Sequence, residues 1–232
     1  MRPSAVLSLL SLLALHASAQ TVEIRSEFWT PTLTSAREVI SPAVARNAFT
    51  TFRVIPKGAT KYNLCIAANP DDVFKVTVYG PDNKPLPFPC ADDLTEPVLT
   101  LDVWTPADAS VARTRLEAQM WFDDRWIIYP LEVRVQDARV PEKRGESWSG
   151  YLCGKPESAV ARTGTSERNY RQDAAMARSL EPRLGRETLV REIVTRLGAP
   201  TPEAWCKAPR MPSGESYLKL RDYLYSVAQP VQ

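Results

Sequence analysis

From Phe49 to Gln136 apolar and polar residues alternate with a period of two, and beyond Gly150 the period becomes about 3.6. This change constrains the fold more than any single motif. A two-residue repeat puts alternate side chains on opposite faces of a strand, whereas a 3.6-residue repeat gathers them on one side of a helix.

In the first half the strand-like runs are short and bounded by turn formers. Phe49 to Ile55 stops at Pro56. Tyr62, Leu64 and Ile66 alternate with Asn63 and Cys65 before Asn69-Pro70-Asp71-Asp72. Phe74, Val76 and Val78 alternate with Lys75 and Thr77 and end at Gly80-Pro81-Asp82, and Leu99, Leu101 and Val103 follow the same rule. The strongest hairpin places Leu116, Ala118, Met120 and Phe122 on one face, turns at Asp123-Asp124, and returns with Leu131, Val133 and Val135 inward. One apolar and one polar face per strand is what an antiparallel sheet covered on one side requires. Seven or eight such strands in about 115 residues predict a β-sandwich. It resembles the immunoglobulin type in architecture only, because the buried Trp between two distant core cysteines is missing.

Asp137 to Gly150 is polar and carries Pro141, Gly145 and Gly150, the composition of a boundary. Four helices are expected after it. One is capped by Ser166, carries Tyr170, Ala174, Ala177 and Leu180, and is interrupted by Pro182 and Gly185. The next, Arg186 to Leu197, shows the stripe Leu189, Val190, Ile193, Val194, Leu197. Thr201 caps a short helix with Pro202 at its first position, and a last one runs from about Glu215 to Val227. The fold class is therefore α+β: an N-terminal antiparallel β-sandwich over 20–137, a linker over 138–150 and a short-helix region over 151–232.

Residues 1–19 have the plan of a secretory leader: Arg2, an apolar run from Ala5 to Leu15, and Ala17-Ser18-Ala19 before Gln20. The single histidine, His16, lies inside it, so the mature chain would hold no imidazole. No later stretch approaches the roughly 20 apolar residues of a membrane span. No asparagine stands in an Asn-x-Ser/Thr acceptor, which favours a bacterial periplasmic or secreted setting. In an exported chain four cysteines read as disulfides, and the local pairing Cys65 with Cys90 and Cys153 with Cys206 fits the two-part organisation best. Each closed loop should add roughly 3–4 kcal/mol.

Without histidine there is no Ser-His-Asp or Cys-His pair and no imidazole metal ligand. No phosphate-binding glycine loop appears, and no cofactor is expected. Residues 20–140 carry 13 basic and 16 acidic side chains and residues 141–232 carry 15 and 11, a balance too even to indicate nucleic acid. Catalysis would have to rest on paired carboxylates, as in a glycosidase, and no spacing singles out a pair. The doublets Asp71-Asp72, Asp92-Asp93 and Asp123-Asp124 fall in expected loops, where aspartate forms turns more readily than calcium sites.

Two features suggest binding. The stretch from Pro81 to Pro97 carries four prolines within nine residues, and a stiff loop stapled at Cys90 could present Leu86 and Phe88. Trp104 and Trp121 lie on polar parities, and with Trp29, which precedes Pro31 near the mature N-terminus, they could form an exposed aromatic strip for a glycan, or else cover a second apolar layer. The leading expectation is an exported, non-catalytic binding or assembly module of the cell envelope or extracellular space, with another protein as partner. A carbohydrate- or cell-wall-binding module, with polysaccharide as partner, comes second, and a histidine-free hydrolase third.

Overall fold

The structure, a computed structural model, describes residues 21–29, 41–69, 72–122, 125–142, 145–154 and 165–229. The expected leader and the Asp123-Asp124 turn lie outside them. The described residues form an antiparallel β-sandwich whose flank is covered by a helical C-terminal region, a mixed α+β fold.

Strands β1 (Thr21–Ser26), β3 (Ala48–Lys57), β7 (Leu99–Thr105) and β5 (Lys75–Tyr79) form one sheet in the order β1-β3-β7-β5. Strands β2 (Ala43–Arg46), β9 (Arg125–Arg139), β8 (Arg113–Phe122), β4 (Tyr62–Ala67) and β6 (Cys90–Leu94) form the other, in the order β2-β9-β8-β4-β6. All pairings are antiparallel except β2 with β9. The alternation read from the sequence closes the sandwich. Phe52, Val54, Leu99, Leu101 and Val103 from the first sheet meet Leu64, Leu116, Met120, Phe122, Leu131 and Val133 from the second, all buried.

Helices α1 (Trp148–Cys153), α2 (Thr165–Leu184), α3 (Arg186–Arg196), α4 (Pro202–Lys207) and α5 (Gly214–Ala228) build a second core. Leu180, Leu189, Ile193, Trp205, Leu220 and Leu224 meet there with Ala43, Ala45 and Ala48 of the sheets. Strand β2 serves both cores: Val44 points into the sandwich, while the small Ala43 and Ala45 face the helices. Alanine at those positions leaves a low floor on which a helix can lie close to the sheet.

Several local expectations are corrected. Helix α2 runs through Pro182 and stops only at Gly185, whose φ of 78° favours glycine. The proline removes the N–H that would bond the Arg178 carbonyl and crowds that turn, and only Arg183 and Leu184 follow it before the helix ends. Helix α1 opens at Trp148, inside the stretch read as linker, because the Ser147 hydroxyl accepts from the Gly150 N–H and caps it. Asp92 and Asp93 sit on β6 rather than in a loop, and Lys61 pairs with Asp93.

The disulfides are Cys65–Cys90 and Cys153–Cys206. The first joins directly opposed residues of β4 and β6. The second ties the end of α1 to α4, across 53 residues.

Candidate functional site

The residues singled out from sequence part into three environments. Leu86 is half-buried against the sandwich core, and its N–H donates to the Val78 carbonyl at 2.8 Å. Phe88, two residues on, is 54% exposed. The proline-rich loop is therefore held by its leucine and offers only its phenylalanine.

The three tryptophans do not come together. Trp104 stands on the outer face of β7, beside Phe49 at 6.4 Å between ring centroids, with the Lys75 ammonium 5.2 Å above it. Trp29 follows β1, and the Arg25 guanidinium lies 5.1 Å from its ring. Trp121 belongs to the other sheet. Its companion is Trp126, directly opposite on β9, with centroids 5.1 Å apart and planes 56° apart.

On the outer face of that sheet the register aligns residues in rows. One row runs Trp126, Trp121, Asn63, and the next runs Ile128, Gln119, Cys65, Cys90. Three interstrand steps make the second row roughly 14 Å long. Trp126 is 53% and Ile128 55% exposed. Toward the far end of the hairpin the face becomes charged, with Arg115 paired to Glu117 at 2.7 Å and Arg113 to Glu132 at 3.2 Å. The result is an apolar end and an ionic end on one sheet face.

The prominence of Trp126 and Ile128 was legible in principle. Leu131, Val133 and Val135 point inward, so the same parity carried back along β9 turns Trp126 and Ile128 outward. Single exposed apolar residues are ordinary, whereas a cluster on one face marks a contact surface.

Carboxylates do gather, but in the interior. Glu27, Asp102 and Asp173 lie where the helices meet the sandwich, and none is more than 4% exposed. Arg168 of α2 grips Asp102 with two hydrogen bonds, of 2.9 and 2.6 Å, and its guanidinium stacks 3.6 Å above the Phe49 ring. The fully buried Arg221 of α5 donates to Asp173 at 3.0 Å and to Glu27 at 3.3 Å. Burial works against the Arg221 charge, yet Asp173, Tyr225 and Glu27 together hold its pKa well above the usual value. Gln172 takes both main-chain groups of Phe49, accepting from its N–H at 2.7 Å and donating to its carbonyl at 3.0 Å. Two surface grooves, of about 650 and 480 Å³, are lined by α3–α4 residues such as Arg186 and Arg191 and by Pro141, Glu146 and Arg178. Neither is lined by these carboxylates. Among the described residues, no group of three His, Cys, Asp or Glu side chains is placed to hold a metal, and no helix is long and apolar enough to cross a membrane.

No protein-family model matches the chain, and no curated protein does. Among solved structures it is similar to a conjugate transposon protein (residues 27–141) from Bacteroides vulgatus, at 14% identity and a TM-score of 0.33, over 50% of this chain and 83% of that one. A conjugative transposon lipoprotein from Bacteroides eggerthii aligns at 11% identity and a TM-score of 0.34, over 49% of this chain and 95% of that one. A family 123 glycoside hydrolase from Clostridium perfringens aligns at 11% identity and a TM-score of 0.28, over 44% of this chain and 24% of that one. Superpositions this loose do not bear on what this chain does.

Proposed function

We propose that this protein is an exported, non-catalytic binding and assembly module that docks another envelope or extracellular protein on the outer face of the β2-β9-β8-β4-β6 sheet. The observation that carries the reading is the exposure of Trp126 and Ile128 on that face, beside Trp121. Burying two such side chains against a partner gains about 1.5–3 kcal/mol each. The aromatic and aliphatic composition, rimmed by ion pairs, is that of a protein contact. The 56° between the Trp121 and Trp126 planes speaks against a flat sugar platform, and Ile128 offers nothing to a pyranose ring that stacking requires. The two disulfides support export, since such bonds persist in oxidising compartments. Residues 1–19 would be the leader.

The test is capture from native envelope extract by the oxidised protein, by Trp126→Thr/Ile128→Thr and by Trp104→Ala, with polysaccharide fractions in parallel and the captured material identified by mass. A discrete protein held near stoichiometry by the native and Trp104→Ala chains, and released by the double variant, is the expected result. Retention of polysaccharide alone, lost on Trp104→Ala, would replace this reading with a glycan-binding one.

A further inference from the structure

Glu27 and Asp173 compete for one guanidinium in a site closed to water. Both carboxyls lie within hydrogen-bond reach of Arg221, and the side chains of all three are at most 1% exposed. The competition is unequal. Asp173 accepts from Arg221 Nε at 3.0 Å, from the Tyr217 hydroxyl at 2.9 Å and from the Tyr225 hydroxyl at 2.7 Å. Three donors, one of them cationic, satisfy a carboxylate. Glu27 has the other end of the guanidinium at 3.3 Å, the Asn169 amide, and a Thr51 hydroxyl that it shares with Asp102.

The other charged groups around Glu27 include one further cation, Arg53, whose charge Glu27 and Asp102 both favour. From β3, Arg53 approaches and donates to the Thr100 hydroxyl. On β7, Asp102 is neutralised by Arg168 of α2, and it also accepts from the Thr51 hydroxyl at 2.7 Å. On β1, Arg25 pairs with Glu23. From α2 and α5 the phenols of Tyr170 and Tyr217 face the site, and burial raises the pKa of both. Ionised, Glu27 would be a second buried carboxylate on a shared cation. Like charges at one site cannot both ionise cheaply, and the less well-solvated acid keeps its proton.

We propose that Glu27 is a pH-sensitive latch between the helices and the sandwich: protonated, it lets α2 and α5 seat on β1 and β3, and ionised it loosens them. Burial pushes the Glu27 carboxyl up to about 7, with Arg221 pulling the other way. The sign follows from linkage. A folded-state pKa above the unfolded one means the native protein binds the proton more tightly, so stability is full below the unfolded value of 4.5 and is lost as pH rises toward 7. Helices α2 and α5 therefore hold most firmly in mildly acidic surroundings.

The experiment is a titration of the full oxidised chain between pH 4 and 9 by carboxyl carbon NMR, with amide exchange read separately for α2 and α5 and for β8 and β9. A Glu27 midpoint near neutrality, with the protection of α2 and α5 relative to the intrinsic exchange rate falling across that range while that of the hairpin holds, is the expected result. Glu27→Gln copies the protonated acid and should abolish this pH dependence, which otherwise amounts to a change on the order of a hundredfold in the opening equilibrium. A Glu27 midpoint in the ordinary carboxylate range, or the same pH dependence retained in Glu27→Gln, would overturn the latch. The carboxyl titration decides the matter in the native chain even if the variant fails to fold.

Discussion

The sandwich core and the junction between the sandwich and the helices are held together by different physics. The sandwich core is dry: Phe52, Leu101, Leu116, Met120 and Leu131 meet with no charged side chain among them. The junction under the helices seals Arg221, Asp173 and Glu27 away from water and pairs them. A dry core gains by area and tolerates substitution in proportion to the volume removed. An ionic junction contributes little net stability when complete and costs several kcal/mol when one member is lost, because the survivors remain buried without a partner. The apolar cores thus supply most of the fold's stability, and the junction fixes where the helices sit.

Arg221→Ala should break this contrast most severely. It strands two carboxylates and should destabilise the protein by about 3–5 kcal/mol, measured by denaturant unfolding. Its cost should grow from pH 5 to pH 8, as Glu27 ionises without a counter-charge. Leu116→Ala, in the dry core, should cost about 3 kcal/mol and show no such slope. Equal pH dependence in the two variants would erase the distinction between core and junction. Thr201→Ala removes the hydroxyl that accepts from the Ala204 N–H and should cost about 1 kcal/mol, read as a small fall in Tm. The mildest change is Trp126→Thr with Ile128→Thr, which should leave stability within about 0.5 kcal/mol per residue while partner capture is lost. A large loss of stability there would mean that the exposed face holds up the fold instead of a partner.

The dry core was legible in the sequence because its rule is local. Alternation around Leu116 or Leu131 states which face is buried without knowledge of the partner strand. The stripes from Leu189 to Leu197 and around Leu220 worked the same way. Strand β2 was not legible: four residues, Ala-Val-Ala-Arg, are too few to show a period and too small to announce a core. Helix α1 was hidden by its glycine and serines, which also suit a linker. The junction was the least visible, since Arg221 meets Glu27 across 194 residues and Asp173 across 48. A charged residue on a helix normally predicts a solvated face. Only the fold shows that Arg221 stands among the buried side chains of α5, with Leu220 and Leu224. The half-burial of Leu86 was hidden for a related reason, because its main-chain hydrogen bond to Val78 leaves no pattern in the sequence.

Strand β2 also dictates an order of assembly. Its parallel partner β9 lies far along the chain, with the Arg46 side chain bonded to Asp137 across 91 residues. The β8–β9 hairpin, by contrast, closes between near neighbours. Short loops close sooner than long ones, and non-local parallel pairing comes late. Ala43 and Ala45 of β2, which receive the helices, should therefore reach their places only after the hairpin has captured that strand. A chain entering an oxidising compartment from its N-terminus would build the sandwich first, and the Cys153–Cys206 bond would lock a helical layer that had nothing to rest on until that strand arrived.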